Sequence, residues 1–180
     1  MKPITAVLAV FLAAVPTLAQ AVDRNFAGLE LGTFSHRISL ESSGDEYDTD
    51  SDGDYAGLSL GRVSSDWRAL ATVHVPNLED DDTVIWLTAS YDYLFNEGSV
   101  LQPYAGGHFG YYTFNDDDSD NSVNSITVGP EAGVQLRVDP FMAEVGAKYG
   151  FGVNSSDNVN GANLQVDYAQ TVFIRISSLF

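Results

Sequence analysis

Past residue 21, runs in which alternate residues share one character are joined by connections that alternate without exception between long and polar and short and tight. Strands are predicted over 26–40, 55–63, 67–75, 83–95, 100–114, 125–138, 141–153 and 164–180. The long connections are 41–54, 76–82, 115–124 and 154–163, the first three strongly acidic. The short ones are 64–66, 96–99 and 139–140. Such an order describes an antiparallel up-and-down sheet with two distinct ends, and the even strand count brings both chain ends to the short-turn side.

No stretch past residue 21 holds the ~18 consecutive apolar residues of a spanning helix, so a bilayer can be crossed only by strands. The two faces of each strand test that idea. In the seventh, Ala143, Val145, Ala147, Tyr149 and Phe151 oppose Glu144, Gly146, Lys148, Gly150 and Gly152. In the sixth, Val128, Ala132, Val134 and Leu136 oppose Gly129, Glu131, Gly133, Gln135 and Arg137, and in the fourth Ile85, Leu87, Ala89, Tyr91 and Tyr93 oppose Thr88, Ser90 and Asp92. The last strand sends Val166, Val172, Ile174 and Ile176 toward lipid, with Tyr168 and Phe180 at two interfacial girdles and Thr171, Phe173 and Arg175 inward. In the first, Leu29, Leu31 and Thr33 oppose Gly28, Glu30, Gly32 and His36, and Arg62 falls on the lipid side of the second, near enough to a turn to snorkel.

The N-terminus carries one charge, Lys2, then an apolar run from Ile4 to Val15 and the small-residue site Leu18-Ala19-Gln20-Ala21. Residues 1–21 are expected to be a cleaved secretory signal, leaving 22–180 as one domain. Cysteine is absent, which excludes a disulfide framework and thiolate metal sites. The net charge of −17 becomes −18 once Lys2 is removed, with seven bases against twenty-five acids, and such a surface disfavours nucleic acid as a partner.

Two segments resemble a known family. Gln102-Pro103-Tyr104-Ala105-Gly106-Gly107-His108-Phe109-Gly110-Tyr111 looks like the PYxGxGxGY strand of the small OmpA/OmpX-type and opacity-type outer-membrane barrels. Gly129-Pro130-Glu131-Ala132-Gly133-Val134, continuing through Asp139-Pro140 to Gly146-Ala147-Lys148-Tyr149, is similar to that family's glycine-rich strand, turn and G-x-x-Y strand. The resemblance implies an all-β, eight-stranded antiparallel up-and-down transmembrane β-barrel in the outer membrane of a Gram-negative bacterium, with no appended periplasmic, peptidoglycan-binding domain. Phe180, Ile176, Ile174 and Val172 resemble the terminal signal read by the barrel-assembly machinery, while Ser178 departs from it, since a bulky apolar residue is usual there. Outer-membrane lipid and lipopolysaccharide are the implied surroundings, and a monomer the implied state.

Inward positions collect Glu30, Asp92, Glu131 and Glu144 with Arg68, Arg137, Lys148 and Arg175. Buried charges are costly unless paired, so these eight are expected to form a lumen ion-pair network, read either as a structural plug or as a gated ion path. The loop acids are Glu41, Asp45, Glu46, Asp48, Asp50, Asp52 and Asp54, then Glu79 to Asp82, then Asp116, Asp117, Asp118 and Asp120. Asp48-Thr49-Asp50-Ser51-Asp52-Gly53 matches the first half of an EF-hand loop, but Ser59 stands where its twelfth-position glutamate belongs. A solvated acidic surface and a loosely held Ca²⁺ or Mg²⁺ on Asp48, Asp50 and Asp52 both remain open, and no other cofactor is expected.

His36, His74 and His108 stand in no local Ser/His/acid pattern, so no enzyme is expected. A membrane hydrolase would need His74 or His36 beside a serine and a carboxylate at the barrel rim. The expected function is a non-enzymatic barrel serving envelope structure or surface interaction. The alternatives are a narrow ion-conducting porin and a soluble periplasmic lipocalin-like binding barrel, whose outer face would be polar and inner face apolar.

Overall fold

In the computed structural model, residues 23–42, 45–78, 83–115, 122–153, 157–159 and 162–180 are described. Segment 1–21, expected to be a signal peptide, and the acids Glu79 to Asp82, Asp116, Asp117, Asp118 and Asp120 lie outside them. The strands are β1 (Arg24–Ser42), β2 (Asp45–Val63), β3 (Trp67–Leu78), β4 (Thr83–Leu94), β5 (Leu101–Asn115), β6 (Ser122–Val138), β7 (Phe141–Val153), the short β8 (Asp157–Val159) and β9 (Ala162–Leu179). All pairings are antiparallel: β1 to β7 pair in chain order, β7 then pairs with β9, β8 adds only to β9, and β1 pairs with β9 to close eight strands into a barrel. Closure leaves no open edge, so the backbone groups of the spanning strands pair with neighbours on both sides, with an interruption of the β6–β7 ladder at Gly129-Pro130, where proline has no N–H to donate.

The short turns fall where the turn residues predict. Gly98 takes φ 74°, a backbone conformation open to glycine, and the Asp139-Pro140 bond is cis. At the closing seam Asn25 and Phe180 exchange two backbone hydrogen bonds of 3.0 and 2.9 Å, which ties the C-terminus to the short-turn end.

Segment 41–54, expected as a loop, is mostly strand. The β1–β2 ladder continues through Arg37↔Asp50 and Ser39↔Asp48 to Ser42↔Asp45, and β1 keeps its pairing with β9 as far as Glu41↔Asn163, so a ribbon of β2, β1 and β9 rises above the barrel. Ladder hydrogen bonds come from the backbone, so a run of aspartates does not forbid them. Alternate positions also place the charges of Asp48, Asp50 and Asp52 on one exposed face of the ribbon, in water.

Outward positions form an apolar belt. Leu29, Leu31, Leu58, Leu60, Val145, Val172, Ile174 and Ile176 are all more than half exposed, Leu29 at 65%. Each would gain about 1.5–3 kcal/mol on leaving water for an apolar medium, a gain that only lipid can supply to the outside of a closed barrel. Aromatic pairs flank the belt: Trp67 with Tyr91 and Tyr93 with Phe95 near the short turns, and Tyr149 with Phe151 and Tyr168 toward the ribbon. Arg62 does reach the turn end, where it pairs with Asp23 at 3.1 Å. An apolar exterior around a charged interior is the reverse of the lipocalin-like alternative, which is thereby corrected: the barrel spans a membrane.

One lipid-facing assignment is also corrected. Val166 is fully buried in the lumen, because the β1–β9 register shifts between Arg37↔Tyr168 and Ile38↔Val166 and leaves Asp167 as an extra residue. A single bulged residue moves every side chain beyond it to the opposite face.

Candidate functional site

The lumen holds three layers. Phe26, Val63, Leu70, Leu94, Tyr104, Met142 and Leu179 form an apolar layer at the short-turn end. Phe34, Ile38, Tyr55, Val84, Trp86, Tyr112, Val166, Ala169 and Phe173 form a second toward the ribbon. Between them lie seven charged side chains, none more than 2% exposed: Glu30, Arg68, Asp92, Glu131, Glu144, Lys148 and Arg175.

These seven are the inward residues expected to pair, and two arginines organise them. Arg68 donates from Nε to Asp92 Oδ2 at 2.7 Å, from Nη2 to Glu131 Oε1 at 3.2 Å, and lies 2.7 Å from Glu144 Oε2 through Nη1. Arg175 donates from Nη1 to Glu144 Oε2 at 2.7 Å and from Nε to Glu30 Oε2 at 2.8 Å, and its Nη2 also reaches Glu30 Oε2. Glu30 further accepts from the Tyr55 hydroxyl at 2.5 Å and has Lys148 Nζ at 3.6 Å. The guanidinium of Arg68 sits 3.6 Å over the Tyr104 ring, while Arg175 and Lys148 flank the ring of Phe173.

Glycines make room for the large inward groups. A side chain at Gly133 or Gly146 would collide with the Tyr104 hydroxyl, so Tyr104 lies flat across two strands to reach Arg68. That is the physical use of the glycine-rich pattern in β6 and β7.

Arg137, the eighth expected member, does not join. It is half-buried at the short-turn rim and donates to the Ser64 carbonyl at 3.1 Å. Its side chain has the inward parity that the alternation predicts, but it lies one residue from the end of β6, too far along the barrel axis to meet the mid-lumen acids.

The structure also supplies the layer with partners outside the eight expected members: Tyr55, Tyr104, His74 and Trp86. Their inward parity is the signal that could have found them. His74 shares Nε2 with the Thr88 hydroxyl at 3.1 Å, and its Nδ1 lies 3.3 Å from Glu30. It also packs against Trp86 at 4.9 Å between ring centroids, and His108 meets the same indole at 5.4 Å. Both histidines are lumen packing groups, and His74 sits in mid-barrel instead of at a rim.

Asp48, Asp50 and Asp52 follow one another along a strand instead of wrapping round a point, and Ser59 turns inward to the Thr72 hydroxyl at 3.1 Å. Arg37 grips Asp50 by both carboxylate oxygens at 2.7 and 2.8 Å and lies 3.9 Å from Asp48. The hydrogen bonds from Arg37 hold the Asp50 carboxyl below the ordinary carboxylate range. Among the described residues no group of three or more acids or histidines converges as a metal cluster.

The terminal residues Phe180, Ile176, Ile174 and Val172 all point outward and are 58–66% exposed. Ser178 lies among them opposite Ala27.

No protein-family model matches the chain, and no curated protein matches it. Solved structures do match. Neisserial surface protein A superposes with a TM-score of 0.58 at 19% identity, over 84% of this chain and 97% of that one. The outer membrane protein OprG from Pseudomonas aeruginosa gives 0.58 at 16% identity, over 86% and 95%. The N-terminal β-barrel domain of OprF from the same organism gives 0.55 at 15% identity, over 88% and 99%. At such identities the likeness concerns the fold, which is that of the small outer-membrane β-barrels.

Proposed function

We propose that the chain is a non-enzymatic integral protein of the Gram-negative outer membrane whose barrel is plugged by its own side chains, and which acts in envelope structure or surface interaction through its acidic outer end. The observation that carries the plug is the mid-lumen charge layer: seven ionisable side chains paired with one another and sealed between two apolar layers. Eight strands enclose only enough space for side chains, and no wide diffusion path fits beside these.

The outer role rests on charge sidedness. Of the seven bases in 22–180, Arg68, Lys148 and Arg175 are in the lumen, Arg24, Arg62 and Arg137 are at the short-turn end, and Arg37 alone lies at the ribbon end. On the ribbon the exposed Asp48, Asp50, Asp52 and Asp54 therefore face water with Arg37 as the one base at that end. There Ca²⁺ or Mg²⁺ would bridge Asp48 and Asp52 to lipopolysaccharide phosphates, since like charges repel unless cations intervene. Phe180, Ile176, Ile174 and Val172 face outward along the closing strand, where the barrel-assembly machinery would read them, and a monomer is the state of a sheet that closes on itself.

The decisive experiment is conductance in a planar bilayer after reconstitution. The plug predicts no large, stable openings; regular openings would replace it with the narrow-porin reading. Cell fractionation with gel mobility before and after boiling tests the membrane placement, and release into the periplasmic fluid without a heat-dependent shift would overturn it.

A further inference from the structure

The lumen layer does not balance. Four carboxylates, Glu30, Asp92, Glu131 and Glu144, face three cations, Arg68, Lys148 and Arg175, in a space where all seven are buried. One positive charge is missing where an uncompensated charge is least tolerable.

Compensation is unevenly shared. Glu30 has Arg175, Lys148 and the Tyr55 hydroxyl. Glu144 lies against both arginines. Asp92 and Glu131 have direct ion pairs only with Arg68, which each of them shares with Glu144. Lys148 is paired across the strands with Glu131, yet its Nζ is directed to Glu30 and the Phe173 ring.

A second, independent observation falls on the same two residues. Asp92 and Glu131 are cross-strand neighbours of one residue, Gly106 of β5, which lies between them. Gly106 has no side chain to separate them, and the Asp92 carboxylate lies over it: a Cβ at 106 would run into Asp92 Oδ1. The buried oxygens Asp92 Oδ1 and Glu131 Oε2 make no hydrogen bond, and the Ser90 hydroxyl beside Glu131 is a neutral donor that adds no charge. A carboxylate facing a carboxylate offers only acceptors, so the gap cannot close unless one of them carries a proton.

We propose that the plugged lumen binds one proton on Asp92 Oδ1, which donates to Glu131 Oε2 across Gly106. One proton supplies the missing charge and satisfies both orphaned oxygens. The other titratable or charged groups facing the pair are Arg68 on β3, Tyr104 and His108 on β5, Glu144 and Lys148 on β7, and Arg175 on β9. Arg68, Arg175 and Glu144 are committed to one another, Lys148 Nζ lies by Glu30, the Tyr104 hydroxyl, which makes no hydrogen bond, lies over Gly133 and Gly146, and His108 packs on Trp86. His74 is the competing carrier, but it adjoins Glu30, the best compensated of the four acids.

The proposal rests on the plugged lumen, and infrared spectroscopy of the refolded barrel in detergent tests it separately. At neutral pH exposed Asp and Glu, with ordinary values of about 4, are ionised and silent in the protonated-carboxyl carbonyl region. One such band per chain is expected. It should shift when aspartate carboxyls carry ¹³C and stay when glutamate carboxyls do. It should vanish in Asp92→Asn, whose amide still donates to Glu131, and also in Glu131→Gln, where Asp92 is intact but the excess charge is gone.

No band in the wild type would place the charge on His74 or a bound cation and overturn the proposal. So would a band that moves with the glutamate label or survives in Asp92→Asn. The labelled wild type decides the matter if either variant fails to fold. Large bilayer openings would refute the plug, whereas a silent bilayer with no carboxyl band would refute the proton alone.

Discussion

Replacing Arg175 with methionine removes the guanidinium while keeping an unbranched apolar stem against Phe173. Arg175 is fully buried and is held by Glu30 and Glu144 at 2.8 and 2.7 Å. After its loss Glu144 keeps Arg68 at 2.7 Å, but Glu30 keeps Lys148 at 3.6 Å, the Tyr55 hydroxyl and His74 Nδ1 at 3.3 Å, and no guanidinium. Breaking a buried pair from one side costs about 3–5 kcal/mol, because the remaining charge stays desolvated. The cation–π contact with Phe173 falls within that range and is not added to it. With a urea dependence of about 2 kcal/mol per molar, the unfolding midpoint should fall by about 2 M. Urea titration in lipid vesicles, followed by tryptophan emission and heat-dependent gel mobility, reads it directly, since Trp86 sits in the same lumen. Adding Glu30→Gln removes the stranded charge, so the double variant should be more stable than Arg175→Met alone. A loss below about 1 kcal/mol for Arg175→Met, or a double variant in which the two losses simply add, would refute the view that this layer is a set of mutually compensating buried charges.

Two further outcomes test other parts of the molecule. Ile174→Arg puts a charge in the middle of the lipid belt and should cost about 2–4 kcal/mol in vesicles, so an unchanged urea midpoint would contradict the spanning register. Asp50, held low by Arg37, stabilises the ribbon above the ordinary carboxylate range, and that contribution fades as pH falls through its lowered value. In Arg37→Gln the Asp50 titration followed by NMR should therefore move upward, and an unmoved titration would mean that the ion pair does not form in solution.

Much of the lumen is legible in the amino-acid sequence because a strand has a period of two. Once Glu144 and Lys148 are inward, Val145 and Ala147 must be outward, and the same rule places Asp92, Glu131, Arg68, Arg175 and Glu30. The rule fails where the count changes. Val166 falls inside the barrel, against the alternation, because one extra residue, Asp167, resets it, and nothing in Val166-Asp167-Tyr168 marks a bulge. Arg137 has the right parity but the wrong height, since parity carries no information about position along the barrel axis.

The acidic segment 41–54 shows a different limit. Its composition does not say whether it is a loop or a ribbon, because that depends on the partner strand, and β1 continues far enough to pair it. By itself, then, the sequence determined the antiparallel up-and-down order, the sidedness of turns and charge, and which residues could meet in the lumen, because these follow from local spacing and from the cost of burying charge. Only the closed barrel decided which ones do meet. Barrel stagger set Arg68 among three acids, brought Tyr55 and His74 to Glu30, and left Asp92 facing Glu131 across a glycine, contacts between strands whose relative heights no local pattern encodes.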